Sequence, residues 1–309
     1  MKSLEFEVRS EYNLESQNYV ELDFLKGISK SKIYVSTKTG LCFQKDYIKK
    51  EENNNKWSKI FSSQFVPKKG LFTSENPFFL SRHYYATIFL KQYLNKIKLK
   101  KKMNILDAGA GEGNLGYLIK KFISNVDISI IEILKRNIDK IKKKYPTKEI
   151  YHGPIEDSYF FKTKKFDICA LTWTLCNCSS PITVLEKINS LLNNGGLLLI
   201  GESSRILVPY KKIITSYFNS QMLTPYHPWH FSFNSINNLL EICGFKICYV
   251  NNFNEENDMF IIANKIHAAK KNSLNFHVDK LNEVISFFKR WKKESIFLEK
   301  IINNNYNSN

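Results

Sequence analysis

The residues with the clearest chemical promise lie in Ile105-Leu-Asp-Ala-Gly-Ala-Gly-Glu-Gly-Asn-Leu-Gly116. Gly109, Gly111 and Gly113 follow an apolar strand and open a helix. Glycine permits a tight turn and a close ligand, and the helix N-terminus adds the positive end of a dipole. Two kinds of ligand compete for such a loop. Gly111-x-Gly113-x-x-Gly116 matches the dinucleotide fingerprint. A pyrophosphate, however, wants bare amides, and Asp107 sets a carboxylate two residues before Gly109. That charge suits a cation such as the amino group of S-adenosylmethionine and repels a pyrophosphate. The bland alternative is a ligand-free turn, for which three alternating glycines are a costly choice.

Further candidates follow the same logic. Ala108 joins the glycines at this turn, and the second strand ends at Ile131-Glu132, with Ile133 next to it, where an acidic residue can accept both ribose hydroxyls. A helix-capping glutamate is the other reading. Glu156 and Asp157 follow a third strand and are placed to receive an adenine amine, although acidic loop residues are common. Thr172 and Trp173 end the fourth strand, at the edge where such sheets bind ligands; Trp173 suits the core equally well. Methyl displacement needs an acceptor in line with the breaking bond and, for a hydroxyl or carbon acid, a base. His230 is the first candidate base and His227 the second, with Tyr226 and Glu202 assisting. His230 is also readable as a loop histidine that orders the chain. Arg82 and Arg205 are possible clamps for phosphate or carboxylate, or ordinary ion-pair residues. Cys176 and Cys178 read as small pocket-lining residues.

These residues need a scaffold that brings strand ends together. Strands are expected at Asn104–Ala108, Asp127–Ile131, Glu149–His152, Phe166–Leu171, Leu197–Gly201, Lys246–Val250 and Met259–Ala263. Helices are expected at 78–97, Asn114–Ile123, before Tyr145-Pro146, at Pro181–Leu192 and at Asn234–Cys243. Strands alternating with helices indicate an α/β fold, a Rossmann-like, doubly wound, mostly parallel sheet. Residues 1–70 look irregular, with short strands at Lys32–Val35 and Leu41–Phe43 and a polar loop at Lys49–Lys56. We divide the chain into a ribbon-like N-terminal region or lid (1–70), a helical linker (71–102), the cofactor-binding core (103–265) and a C-terminal helical extension with a polar tail (266–309).

Composition narrows the function classes. The chain has 309 residues, 43% of them hydrophobic, enough for a sizeable core. The formal charge is +17, but 41 of the 46 basic residues are Lys and only five are Arg. Arg is the usual residue for bidentate phosphate and base recognition, so the excess reads as compositional bias and nucleic acid is not the expected partner. Six Cys without a C-x-x-C pair, and a charged N-terminus, point to the cytoplasm. No apolar run is long enough to span a membrane. No metal site is expected, and the oligomeric state is open.

As a set, LDAGAGEG, then Glu132, IED, FDICALTWTL and NNGGLLLIGE resemble the class I S-adenosylmethionine-dependent methyltransferases over residues 104–204. The resemblance implies a seven-stranded sheet with its last strand antiparallel and a methyltransferase of class EC 2.1.1.-. Tyr226-His-Pro-Trp-His-Phe-Ser232, a helix, and Gly244-Phe245 look like a stretch of sugar and small-molecule methyltransferases. Residues Ser36-Thr-Lys-Thr-Gly40-Leu-Cys-Phe-Gln44 resemble the C-x-x-C-G-L-x-F ribbon of sugar C-methyltransferases, with Ser36 and Thr39 in place of the cysteines. Zinc needs four N or S ligands, so this ribbon is read as metal-free. The resemblance implies a small-molecule acceptor, phosphate-bearing if it is a nucleotide-linked sugar of a surface polysaccharide. An RNA or protein methyltransferase, and an inactive cofactor-binding scaffold, are the alternatives. No [DNS]-P-P-[YFW] follows strand four, which disfavours methylation of adenine amines.

Overall fold

The computed structural model describes residues 2–13, 15–29, 31–44, 77–98, 102–157, 161, 163–202, 206–208, 213–219, 227–251, 258–266 and 276–306. Tyr226, Arg205 and the Lys49–Lys56 loop lie outside them.

Seven strands build the main sheet: β4 (Met103–Ala108), β5 (Val126–Glu132), β6 (Glu149–His152), β7 (Phe166–Thr172), β8 (Leu192–Glu202), β10 (Phe245–Val250) and β11 (Met259–Lys265), in the order β10-β11-β8-β7-β4-β5-β6. β11 pairs antiparallel with both β8 and β10. The β4–β5, β4–β7, β5–β6 and β7–β8 pairs are parallel. The expected doubly wound fold with an antiparallel last strand is therefore present. Strand order reverses at β4, whose neighbours are β5 and β7, and a crevice outside the carboxyl ends forms at such a point.

The central strands are apolar on both faces because helices cover both. Ile105, Ile128, Ile130, Ile168 and Leu199 pack on one face with Leu90 and Tyr93 of α2 (Pro77–Lys96), Leu115 and Ile119 of α3 (Asn114–Phe122) and Ile141 of α4 (Lys135–Lys144). Leu106, Cys169, Leu171, Leu198 and Ile200 pack on the other with Val184 and Ile188 of α5 (Pro181–Leu191) and Ile236 and Leu239 of α7 (Phe233–Ile242). Ser180 caps α5 by accepting from the Thr183 amide, with Pro181 at the first turn.

Two expectations need correcting. Residues Lys2–Tyr12 form helix α1 where irregular chain was expected. Its charged sequence hides a short apolar stripe: Val8 and Tyr12 are buried against the second face of the sheet, and Arg9 donates to the Ile242 carbonyl at 2.8 Å. Tertiary packing, not propensity, decides this segment. The fifth strand begins at Leu192 rather than Leu197, because Leu192 pairs with Phe166 before an irregularity passes the pairing to Ile168–Leu197.

The N-terminal strands β1 (Tyr19–Glu21), β2 (Tyr34–Ser36) and β3 (Cys42–Phe43) form an antiparallel sheet completed by β9 (Trp229–His230). Its Val35 and Cys42 pack with Phe218 of α6 (Ile214–Asn219) and with Phe288 and Trp291 of α8 (Leu281–Tyr306). Among the described residues the C-terminal extension is this single helix.

Candidate active site

Parallel register lines up the carboxyl ends. Ala108 pairs with Ile131, Glu132 with His152, and Thr172 with Gly201. Asp107, Glu132, Thr172 and Glu202 thus stand at one edge of the sheet, next to the glycine turn. Backbone bonds from Gly109 and Ala110 to the Ile131 carbonyl (2.9 and 3.2 Å) fold the turn back over β5.

The glycines have different reasons to be glycine. All three adopt positive φ: 75° at Gly109, 56° at Gly111 and 73° at Gly113. A Cβ on Gly109 would stand 2.7 Å from Thr174 Oγ1, and one on Gly113 2.6 Å from Ile141, whereas one on Gly111 would meet nothing within 4 Å. Gly109 and Gly113 are demanded by packing; Gly111 faces open space.

Two carboxylates flank the turn. Asp107 is buried, and neither of its oxygens has a well-formed hydrogen bond. Burial pushes its pKa up to about 7, reinforced by Glu132 and opposed by the Gly116 amide. Glu132 accepts from Gly111 N–H (2.7 Å), Leu134 N–H (2.9 Å) and Asn137 Nδ2 (3.2 Å), while burial raises its pKa. Ile133, beside it, is half-buried, and its carbonyl contacts His152 Nε2 at 3.1 Å. Glu156 and Asp157 lie in a short 3-10 turn after β6, with Asp157 exposed.

Across the crevice, Trp173 sits in the left-handed region at φ 53°. Such a backbone is strained for a bulky residue and is held by its surroundings. Its indole N–H donates to Asp258 at 3.0 Å, the Arg82 guanidinium lies 3.9 Å over its ring, and the His83 ring meets it at 4.8 Å. Desolvation lowers the Arg82 pKa to about 10, opposed by Asp258, Cys176 and Glu202. Arg82 therefore stacks within the wall and is not a surface ion-pair residue.

The 3-10 turn Leu175–Asn177 after β7 gathers the remaining candidates. Glu202 is fully buried and accepts the Cys176 amide at 3.3 Å through Oε1, while Oε2 has no hydrogen-bond partner. Burial raises its pKa to about 7. His227 Nδ1 bonds Asn177 Oδ1 and lies 3.7 Å from Cys176 Sγ. His230 is placed elsewhere. It pairs with Cys42 inside the N-terminal sheet, is fully buried, and its Nε2 meets the Gln44 amide at 3.0 Å. Burial lowers its pKa to about 3, so the ring stays neutral. The expectation of a base at His230 gives way to an ordering role, because the ring is sealed between packed strands. Sequence reasoning did not single out Asn177 or Asp258. Both partner residues 50 or more positions away in the chain, a relation that no local pattern carries.

A family profile described as a methyltransferase domain matches residues 81–250, more than half of the chain. The chain belongs to this methyltransferase family. Among solved structures it is similar to the carbon methyltransferase CurJ (16% identity, TM-score 0.49), covering 61% of this chain and 55% of that one. It is also similar to the plantazolicin methyltransferase BpumL in complex with SAH (17%, TM-score 0.47, 61% and 85% covered). A third is magnesium protoporphyrin IX methyltransferase from Synechocystis PCC 6803 with bound SAM (11%, TM-score 0.47, 69% and 97% covered). The chain spans little more than half the length of the first of these. No protein of curated function matches the sequence.

Proposed function

We propose that this chain is a class I S-adenosylmethionine-dependent methyltransferase that acts on a small molecule held between the carboxyl edge of the main sheet and the N-terminal sheet. The supporting observation is how closed that edge is. Trp229, in β9 of the N-terminal sheet, donates its indole N–H to the Cys178 carbonyl at 2.8 Å, directly after the Leu175–Asn177 turn. Glu202, His227, Thr172 and Trp173 are all buried at that edge. A folded RNA or protein acceptor would need an open face there. Lysine placement agrees. Lys26 and Lys32 pair with Glu21 on the N-terminal sheet, and Lys102 and Lys148 pair with Asp127 at the amino end of β5, away from the crevice. These four lysines lie at two separate places, whereas a nucleic-acid surface gathers its basic residues on one face.

In this reading Asp107 takes the cofactor's amino group, whose positive charge answers a buried carboxylate without good donors. Gly111 lets the backbone approach, Glu132 accepts the ribose hydroxyls, and Glu156 or Asp157 receives the adenine amine with Ile133 beside it. Thr172 and Trp173 line the side toward the acceptor. The bound cofactor supplies an electrophilic methyl group; the chain aligns the acceptor and takes up its proton. Glu202 and His227 are the candidate bases and replace His230. Residues 1–70 serve as a lid, 71–102 as the helical lead into the 103–265 core, and 266–309 as a brace behind the lid.

For the acceptor we place first a nucleotide-linked sugar destined for a surface polysaccharide, methylated in the cytoplasm. Its support is the Tyr226–Ser232 stretch followed by α7 and Gly244-Phe245. The test is transfer of labelled methyl to a panel of nucleotide sugars, with SAH binding measured by calorimetry. Labelled sugar nucleotide supports the reading. Label in RNA or protein instead overturns it, and absence of SAH binding at millimolar concentration leaves an inactive scaffold.

A further inference from the structure

We infer that Asn177 is a positioning residue that fixes the tautomer of His227, holding the ring proton on Nδ1 and the lone pair on Nε2. The inference rests on the methyl-transfer reading above for its purpose, but its geometry stands alone. The orientation of the Asn177 amide is set by its neighbours. Its Nδ2 lies 2.8 Å from the Trp173 carbonyl. A carbonyl only accepts, so the nitrogen of the amide must face it and the oxygen must face the other way. That oxygen meets His227 Nδ1. An amide oxygen also only accepts, so Nδ1 carries the hydrogen and donates it. The neutral ring then has its basic pair on Nε2.

The chain of contacts begins at the catalytic edge. Trp173 follows Thr172 at the end of β7, with the strained backbone and the Arg82, His83 and Asp258 contacts described above. Its carbonyl therefore has a fixed position, and through Asn177 so does the imidazole. The Cys176 thiol of the same turn lies 3.6 Å from Asn177 Oδ1, and Glu202, at the end of β8, accepts the Cys176 amide. A histidine held by an acceptor on one nitrogen is a base at the other, the arrangement in which a neutral orienting group leaves the ring uncharged until it works. In the transfer, the acceptor X–H proton passes to Nε2, the freed pair on X takes the methyl group, and sulfur keeps the pair of the broken S–CH₃ bond. The imidazolium so formed retains its Nδ1–H bond to Asn177.

The test is spectroscopic and needs no acceptor. Protein labelled with 15N-histidine gives nitrogen shifts that distinguish the two neutral tautomers, with His227→Gln assigning the signal. In the unaltered protein the neutral His227 ring is expected to carry its proton on Nδ1. Asn177→Leu should move the population toward the Nε2–H form. Asn177→Asp, which keeps the acceptor and adds a charge, should raise the titration midpoint of His227 by about one unit or more. An Nε2–H ring in the unaltered protein, or a midpoint unmoved in Asn177→Asp, overturns the inference. SAH binding, measured on the same samples, reports separately on the methyl-transfer reading. If SAH binds and the tautomer is wrong, only the role of Asn177 falls; if the tautomer is right and SAH does not bind, only the purpose falls.

Discussion

Gly111 N–H donates to Glu132 Oε2 at 2.7 Å, so the glycine turn is fastened to the end of β5 by the same carboxylate proposed to hold the ribose. Glu132 has two tasks, and they predict a double cost. Glu132→Ala strands the Gly111 and Leu134 amides and the Asn137 side chain. A buried donor left unpaired costs about 1–3 kcal/mol. Chemical denaturation should show a loss of about 2 kcal/mol or more, and calorimetry a drop of at least about tenfold in SAH affinity. Unchanged SAH affinity in a folded variant would remove Glu132 from the cofactor site.

Asp107 predicts an opposition between stability and binding. Its folded pKa, about 7, lies above the ordinary aspartate value of 3.8. The folded state therefore holds the proton more tightly than the unfolded state, and stability falls as pH rises from about 4 to about 7. Glu202 and Glu11, both also raised to about 7, push in the same direction. Asp107→Asn should flatten part of this slope and raise the melting temperature of the cofactor-free protein above pH 7. It should also weaken SAH binding by about tenfold or more, since the cation loses its partner. A variant less stable at pH 8 than the unaltered protein would contradict the assignment.

Gly109 and Gly111 separate packing from ligand approach. Gly109→Ala drives a Cβ to within 2.7 Å of Thr174 Oγ1 at positive φ, so a clear loss of melting temperature is expected. Gly111→Ala meets nothing within 4 Å and should cost about 1 kcal/mol for its backbone alone. Its main effect should be on SAH affinity. Equal stability losses in the two variants, with affinity intact in Gly111→Ala, would mean that no ligand closes over Gly111.

The sheet, and the edge at which Asp107, the glycines and Glu132 meet, were legible in the sequence because their signals are local. Leu106-Asp107 followed by alternating glycines, and Glu132 after an apolar run, lie within single strand-to-helix units whose geometry is nearly fixed. The acceptor side was not legible. His230 looked available in a loop-like stretch, yet Cys42, some 190 positions earlier, pairs with it in a strand and buries it. Helix α1 escaped notice because its two anchoring residues, Val8 and Tyr12, are apolar islands in a charged segment. Asn177 gains meaning only from His227, fifty positions later. Pairings over such distances depend on the assembled topology, which no window of the sequence contains.

In the turn from Ser36 to Leu41, hydroxyls and one carboxylate fasten the N-terminal sheet to α1. The Ser36 and Thr39 hydroxyls both donate to the buried Glu11 carboxylate of α1, one to each oxygen. Ser36 Oγ in turn accepts the Lys38 and Thr39 amides at 3.0 Å, and Thr39 Oγ1 accepts the Leu41 amide at 3.2 Å. Glu11 thus ties helix α1 to the turn. Glu11→Ala should lower unfolding stability by about 1–3 kcal/mol, because two buried hydroxyls lose their acceptor. Glu11→Gln should lie between, since its amide offers one accepting oxygen in place of two. A Glu11→Ala protein as stable as the unaltered chain would show that this carboxylate does not hold the turn to α1.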